Sequence, residues 1–281
     1  MKVNVVLLKE MRQRFRTLRT PLIISLYLLV IGGLCLGYLY LRWSSMPGFY
    51  QPGRSRELFI ILSMVQLILL AFVTPGLTSG AISAEREKQT LNVLLVTRLS
   101  PLGIVTGKMV SSCAFMVLLM IATLPLYNII ILYGGFSPGQ MMGVFAFYLI
   151  TMLLFASVGM ACSAFFKRTG SSTVMAYGVV FAVMVGTILL GVFIYEVTRV
   201  PGPIPAPTPV TAQLLQDINP PAVMLRILGE DAAFKHRDLG IPYWGIYTAF
   251  CLLASAALLW WSAGRLKPGR EGKGRLSYFR N

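Results

Sequence analysis

The sequence predicts an all-α membrane protein of six transmembrane helices, and three observations predict it. Mean hydropathy is +0.71 and charged residues make up 12% of the chain, against the roughly 25% of a soluble domain. The apolar residues lie in blocks: no charge interrupts Leu22–Leu41, Leu58–Ala84, Met109–Phe166, Thr169–Tyr195 or Leu239–Gly264. A helix needs about 20 apolar residues to cross the hydrocarbon layer, so each block holds at least one span. The 58-residue block Met109–Phe166 is too long for one, and the run GGFSPGQ at Gly134–Gln140 divides it. Spans are therefore expected at about 22–41, 58–78, 108–133, 140–166, 172–196 and 241–263. No room is left for a soluble domain, and residues 1–281 read as one transmembrane domain.

Orientation follows from where lysine and arginine fall. The segments 1–20, 79–108, 167–168 and 265–281 carry eighteen of the 25, and the opposite side carries seven. Both termini are thus expected in the cytoplasm. The net charge of +15 is mainly this topology signal. It requires no nucleic acid, and its second use is contact with anionic lipid headgroups.

The elements follow in order. In residues 1–20, Leu7, Met11, Phe15 and Leu18 form one stripe and Lys9, Arg12, Arg16 and Arg19 another. That pattern predicts an amphipathic interfacial helix. Span one follows twenty residues and has no small-x-small cleavage site after it, so it reads as retained. Its Gly33 and Gly37 form a GxxxG step suited to dimer packing. Pro75 in TPGLTSG is expected to loosen the end of span two, and Pro125 to kink span three. LSPLG and FSPGQ each read as a serine cap followed by proline at the first helical position. The loop 198–240 begins with alternate prolines from Pro201 to Pro209, a stiff extended run. A short extracytoplasmic helix then runs from Asn219 to Gly229, apolar enough to rest on the spans. The basic tail 265–281 is expected at the cytoplasmic face.

Several chemistries are excluded. Ion-coupled carriers usually hold charges inside the membrane, whereas Glu57, Lys108 and Glu196 all lie near span edges. His236 is the single histidine, so clustered-ligand metal chemistry has no ligand set. Cys35, Cys113, Cys162 and Cys251 all fall within expected spans and show no zinc spacing. Gly103–Met109, GIVTGKM, has three residues between its glycines and Met after the lysine. A phosphate loop needs four residues there and Ser or Thr after the lysine, so the chain carries no nucleotide site. Lys108 reads as a snorkelling residue at the end of span three. The chain itself is expected to hold no cofactor and to catalyse nothing.

One insert stands out. Ile82–Pro101 opens with Glu85, Arg86, Glu87 and Lys88, then places Leu91, Leu94, Leu95 and Leu99 on one helical face. Such a segment lies along the membrane surface and shows its charges to water or a partner. Ile82–Lys108, ISAEREKQTLNVLLVTRLSPLGIVTGK, resembles the segment between spans two and three of ABC transporter permeases of the type-2 export class. Those carry Ser-x-Glu-Arg-Glu-x-Gly-Thr-Leu, then leucines, a Ser-Pro and a Gly-Lys. Gln89 stands where that family often has glycine. The likeness extends to the six spans, the basic N-terminal helix and the Asn-Pro-led helix before the last span.

The resemblance implies the membrane subunit of an ATP-driven exporter in a prokaryotic cytoplasmic membrane. ATP and magnesium would be bound by separate ATPase subunits, and a second permease copy or paralogue would complete the channel. It implies a cytoplasmic coupling helix in 79–107, with Glu85, Arg86, Glu87, Lys88 and Thr90 touching the ATPase and Leu91, Leu94 and Leu95 anchoring the helix. Asn219, Leu225 and Leu228 are expected at an exit gate. The rival readings are a secondary carrier or channel, and a non-transporting anchor that recruits an ATPase.

Overall fold

The computed structural model describes residues 19–45, 52–90, 101–132, 137–198, 209–230 and 242–266. Every regular element among them is a helix: α1 (Arg19–Ser45), α2 (Pro52–Thr78), α3 (Ser83–Glu87), α4 (Pro101–Leu132), α5 (Pro138–Phe165), α6 (Thr169–Phe181), a π-helical segment (Ala182–Gly186), α7 (Thr187–Thr198), α8 (Val210–Ile218), α9 (Pro220–Ile227) and α10 (Tyr243–Arg265). The segment joins α6 and α7 into one rod, and six rods are long and apolar enough to cross a membrane. Consecutive rods alternate in direction. The bundle therefore has a turn end, where α3 follows α2 and α5 passes into α6, and a loop end carrying α8 and α9.

Local chemistry sets the helix starts. Ser137 caps α5: its hydroxyl accepts from Gln140 N–H at 3.3 Å, and Gln140 Oε1 accepts from Ser137 N–H at 3.1 Å. With Pro138 at the first position this is the reciprocal capping box, which satisfies two orphan donors at once. Asn219 caps α9, its Oδ1 accepting from Ala222 N–H at 2.9 Å. Gly229, with φ of 78°, stops that helix.

The centre of the bundle is α5, buried along most of Val144–Ala164 and surrounded by α10, α2, α6 and α4. Its loop-end half packs aromatic rings. Tyr148 donates to Ser63 O at 2.8 Å and meets Tyr127 Oη at 3.3 Å. Thr151 and Tyr247 share a hydroxyl bond of 2.7 Å. The turn-end half holds Ala156, Ser157, Gly159, Ala161, Ser163 and Ala164, all buried against neighbouring helices. Inside a bilayer, small residues and interhelical hydrogen bonds take over the part that water exclusion plays in solution. Gly159 shows how close the approach is, since a Cβ there would clash with Thr78 Oγ1 and stand 3.3 Å from Ser79 N.

The two outer rods differ. α1 touches only α2 and α4 strongly, and the spans Pro21–Leu41 and Thr169–Thr198 are each 11% buried, against 56% for α5. Gly33 and Gly37 lie on an open face of α1, with no atom of the described residues within 4 Å of a Cβ built at either.

Some boundaries differ from the sequence expectation. α4 begins at Pro101, the first helical position that LSPLG marks, and so earlier than the apolar span expected from about 108, because the helix extends past the charge at Lys108. Pro75 sits inside α2, which runs on to Thr78. α8 was not expected; VTAQLLQDI has no proline and only one charge, and it folds against α7 and α10. The interfacial helix of 1–18, the anchors Leu91, Leu94 and Leu95, the proline run 201–208 and the tail from 267 lie outside the described residues.

Candidate functional site

The turn end is built from short polar side chains that supply what the backbone lacks there. Ile82, which precedes α3, offers no side-chain cap, so the first donors of α3 need an outside acceptor. Ser163 of α5 provides it, accepting from Ile82 N–H at 2.8 Å and Ser83 N–H at 3.0 Å. Ser172 of α6 donates to Ser79 O at 2.7 Å, and Ser79 Oγ meets Thr173 Oγ1 at 3.0 Å. The segment after α2 is thereby bonded to both helices that flank the turn 166–168.

The charges continue the pattern. Arg86 donates to Ala164 O and Phe166 O at 3.4–3.5 Å, serving the last carbonyls of α5. Glu87 accepts from Thr169 N–H at 2.9 Å and Thr169 Oγ1 at 2.6 Å. It thus caps α6 from a different chain segment and sets a negative charge at the positive helix end. Those two bonds hold the Glu87 carboxyl below the usual carboxylate range. Glu85 pairs with Lys108 at 2.7 Å, and the lysine side chain is 5% exposed. Lys108 therefore does not snorkel to water: its ammonium turns back to Glu85, the nearest carboxylate across the turn.

α3 ends in a Schellman turn. Gln89 N–H donates to Arg86 O at 3.1 Å and Thr90 N–H to Glu85 O at 2.9 Å. The turn needs a left-handed residue, and Gln89 supplies it with φ of 57°. Glycine would take that backbone with no Cβ strain, the physical reason it suits this position. Glu87, Lys88, Gln89 and Thr90 form the exposed edge, beside exposed Lys167 and Arg168.

At the loop end, α8 and α9 form a helical hairpin folded onto the bundle. Buried Asp217 pairs with Arg226, which also donates to Gln216 Oε1 at 3.0 Å. Arg56 of α2 donates to Gly229 O at 2.8 Å and pairs with Glu230 at 3.2 Å. Val223, Met224 and Leu228 are buried, and Leu225 is half-buried. Asn219 is fully buried and turns its amide toward the π segment of the fifth rod: Nδ2 donates to Met184 O at 2.8 Å, Val183 O at 3.2 Å and Thr187 Oγ1 at 2.6 Å.

The family model described as "ABC-2 family transporter protein" matches residues 4–259. The chain belongs to the ABC-2 transporter family. A search of the curated proteins finds no match to it. Family members are membrane subunits, not ATPases, and generally work with ABC ATPase subunits. In this ABC-2 protein the residues singled out in the sequence divide in two. Glu85 and Arg86 turn inward to Lys108 and the end of α5, while Glu87, Lys88 and Thr90 line the exposed edge. Asn219 and Leu228 are buried in the hairpin and Leu225 stands half out. Sequence reasoning missed Ser163 and Ser172 as caps for another segment, and the Asp217–Arg226 pair. A serine in an apolar helix carries no signal of which distant backbone group it serves.

Proposed function

We propose that this chain is the membrane-spanning subunit of an ATP-driven exporter, engaged by a separate ATPase at the Glu87–Thr90 edge. The observation that supports this best is the bonding of the Ile82–Thr90 turn to the ends of α5 and α6. A partner pressing on that edge would displace three spans together, through Ser163, Arg86 and Glu87. The lysine and arginine distribution supports a cytoplasmic position for this end and for both termini. Leu91, Leu94 and Leu95 would hold the segment to the membrane surface beyond the edge. ATP and magnesium would be bound by two ATPase subunits. A second permease copy or paralogue would pack on the open Gly33–Gly37 face of α1, where a close helix contact is sterically free.

The substrate would pass between the two permeases and leave past the hairpin, with Asn219, Leu225 and Leu228 at the gate. Among the described residues the ionisable groups Lys108 and Asp217 lie at the two ends of the bundle. An ion-coupled carrier would need such groups at mid-membrane.

The test is co-purification from membranes. The tagged chain should retain its cognate ATPase through detergent extraction, and the complex should hydrolyse ATP in nanodiscs. Solute movement by the chain alone under a proton gradient, with no ATPase retained, would replace this reading with a secondary carrier.

A further inference from the structure

We infer that Asn219 is a positioning residue, whose amide holds the fifth rod in its π-helical register and so fixes where the outer hairpin sits. This rests on the gate reading and names what controls it. A π turn accommodates one extra residue, closed by i→i+5 bonds; here Thr187 N–H reaches back to Ala182 O. The wider turn changes the direction in which the carbonyls of the segment point. Two of them, Val183 O and Met184 O, receive Asn219 Nδ2. Thr187 completes the arrangement: its hydroxyl donates to Val183 O at 2.7 Å and accepts from Asn219 at 2.6 Å. The same asparagine uses Oδ1 to cap α9. One buried side chain thus ties the register of a span to the start of the gate helix.

The consequence is geometric. Returning the segment to α-helix spreads the extra residue along the axis and adds about 100° of rotation and about 1.5 Å of rise between α6 and α7. α6 is bound to the turn end through Glu87 and Ser172, so the rotation falls on α7. The face of α7 that carries Gly191 lies against α8, where a Cβ would be 3.7 Å from Ala212 O and 3.8 Å from Leu215 Cβ. Turning that face away withdraws the contact on which α8 rests. Release of the Asn219 amide therefore moves the hairpin without breaking the α9 cap.

Asn219→Asp separates the two roles, because aspartate caps as well as asparagine but has no donor for the carbonyls. Thr187→Val attacks the same register from the span and leaves Asn219 intact. Spin labels introduced at the exposed Met142 and Val197 as bioorthogonal side chains report the rotation. The full chain in nanodiscs is measured by double electron–electron resonance, without ATPase. A helix with side chains is about 10–12 Å across, so a 100° turn moves a label by roughly 8 Å. Both variants should shift the distance distribution by roughly 5–8 Å from that of the parent. If Asn219→Asp does not fold, Thr187→Val alone carries the test. An unshifted distribution in a folded variant overturns the inference, whether or not an ATPase binds. Failure of ATP and ATPase to produce the shift in the parent complex counts against the gate reading alone.

Discussion

Lys108→Met is expected to remove most of the folded chain from the membrane. The lysine side chain is 5% exposed and its ammonium lies 2.7 Å from Glu85. Removing one member of such a pair strands the other charge, at about 3–5 kcal/mol. Replacing both partners with apolar residues of similar size is often neutral by the same reasoning. Glu85→Met with Lys108→Met should therefore recover folded protein that Lys108→Met alone loses. Size-exclusion profiles and thermal unfolding after detergent extraction measure this directly. Equal loss in the single and double variants would mean that the pair is not what holds the turn.

Gly159→Ala is expected to be the most damaging methyl in the bundle. The added carbon would clash with Thr78 Oγ1 and meet Thr78 Cβ at 3.0 Å and Ser79 N at 3.3 Å. The threonine cannot swing aside freely, because its hydroxyl donates to Thr74 O at 2.9 Å inside α2. Overpacking of a filled core costs about 1–3 kcal/mol, and backbone on the far side argues for the upper part of that range. The end of α2 would be driven from α5 one turn away from Ser163, loosening its bonds to Ile82 and Ser83. Thr78→Gly added to Gly159→Ala should restore part of the stability, since both Thr78 contacts are then gone. A melting temperature for Gly159→Ala equal to that of the parent would contradict the packing described here.

The spans were legible because a bilayer imposes one coarse rule, about 20 residues without charge. Ser137 with Gln140, and Asn219 with Gly229, were legible because helix caps act over three or four residues. What the sequence concealed acts at long range. The Lys108–Glu85 pair joins residues on different helices, and a lysine at a span edge reads equally well as a snorkel. Ser163 and Ser172 cap a segment about eighty to ninety residues away. The π segment AVMVG has no composition of its own; its register becomes intelligible only when Asn219 arrives from another loop. The charges of Glu85–Lys88 were recognised as a surface feature, yet their division into an inner pair and an outer edge depended on where α5 and α6 end.

An ATPase docked on this chain is expected to touch it at the outer edge of the Ile82–Thr90 turn. A photo-crosslinking amino acid at Lys88, an exposed position, tests it in the assembled complex. A crosslink is expected from position 88 to the ATPase subunit, and none from Trp244 at the loop end, which is 59% exposed. An intact, ATP-hydrolysing complex that gives no crosslink from position 88 would contradict it.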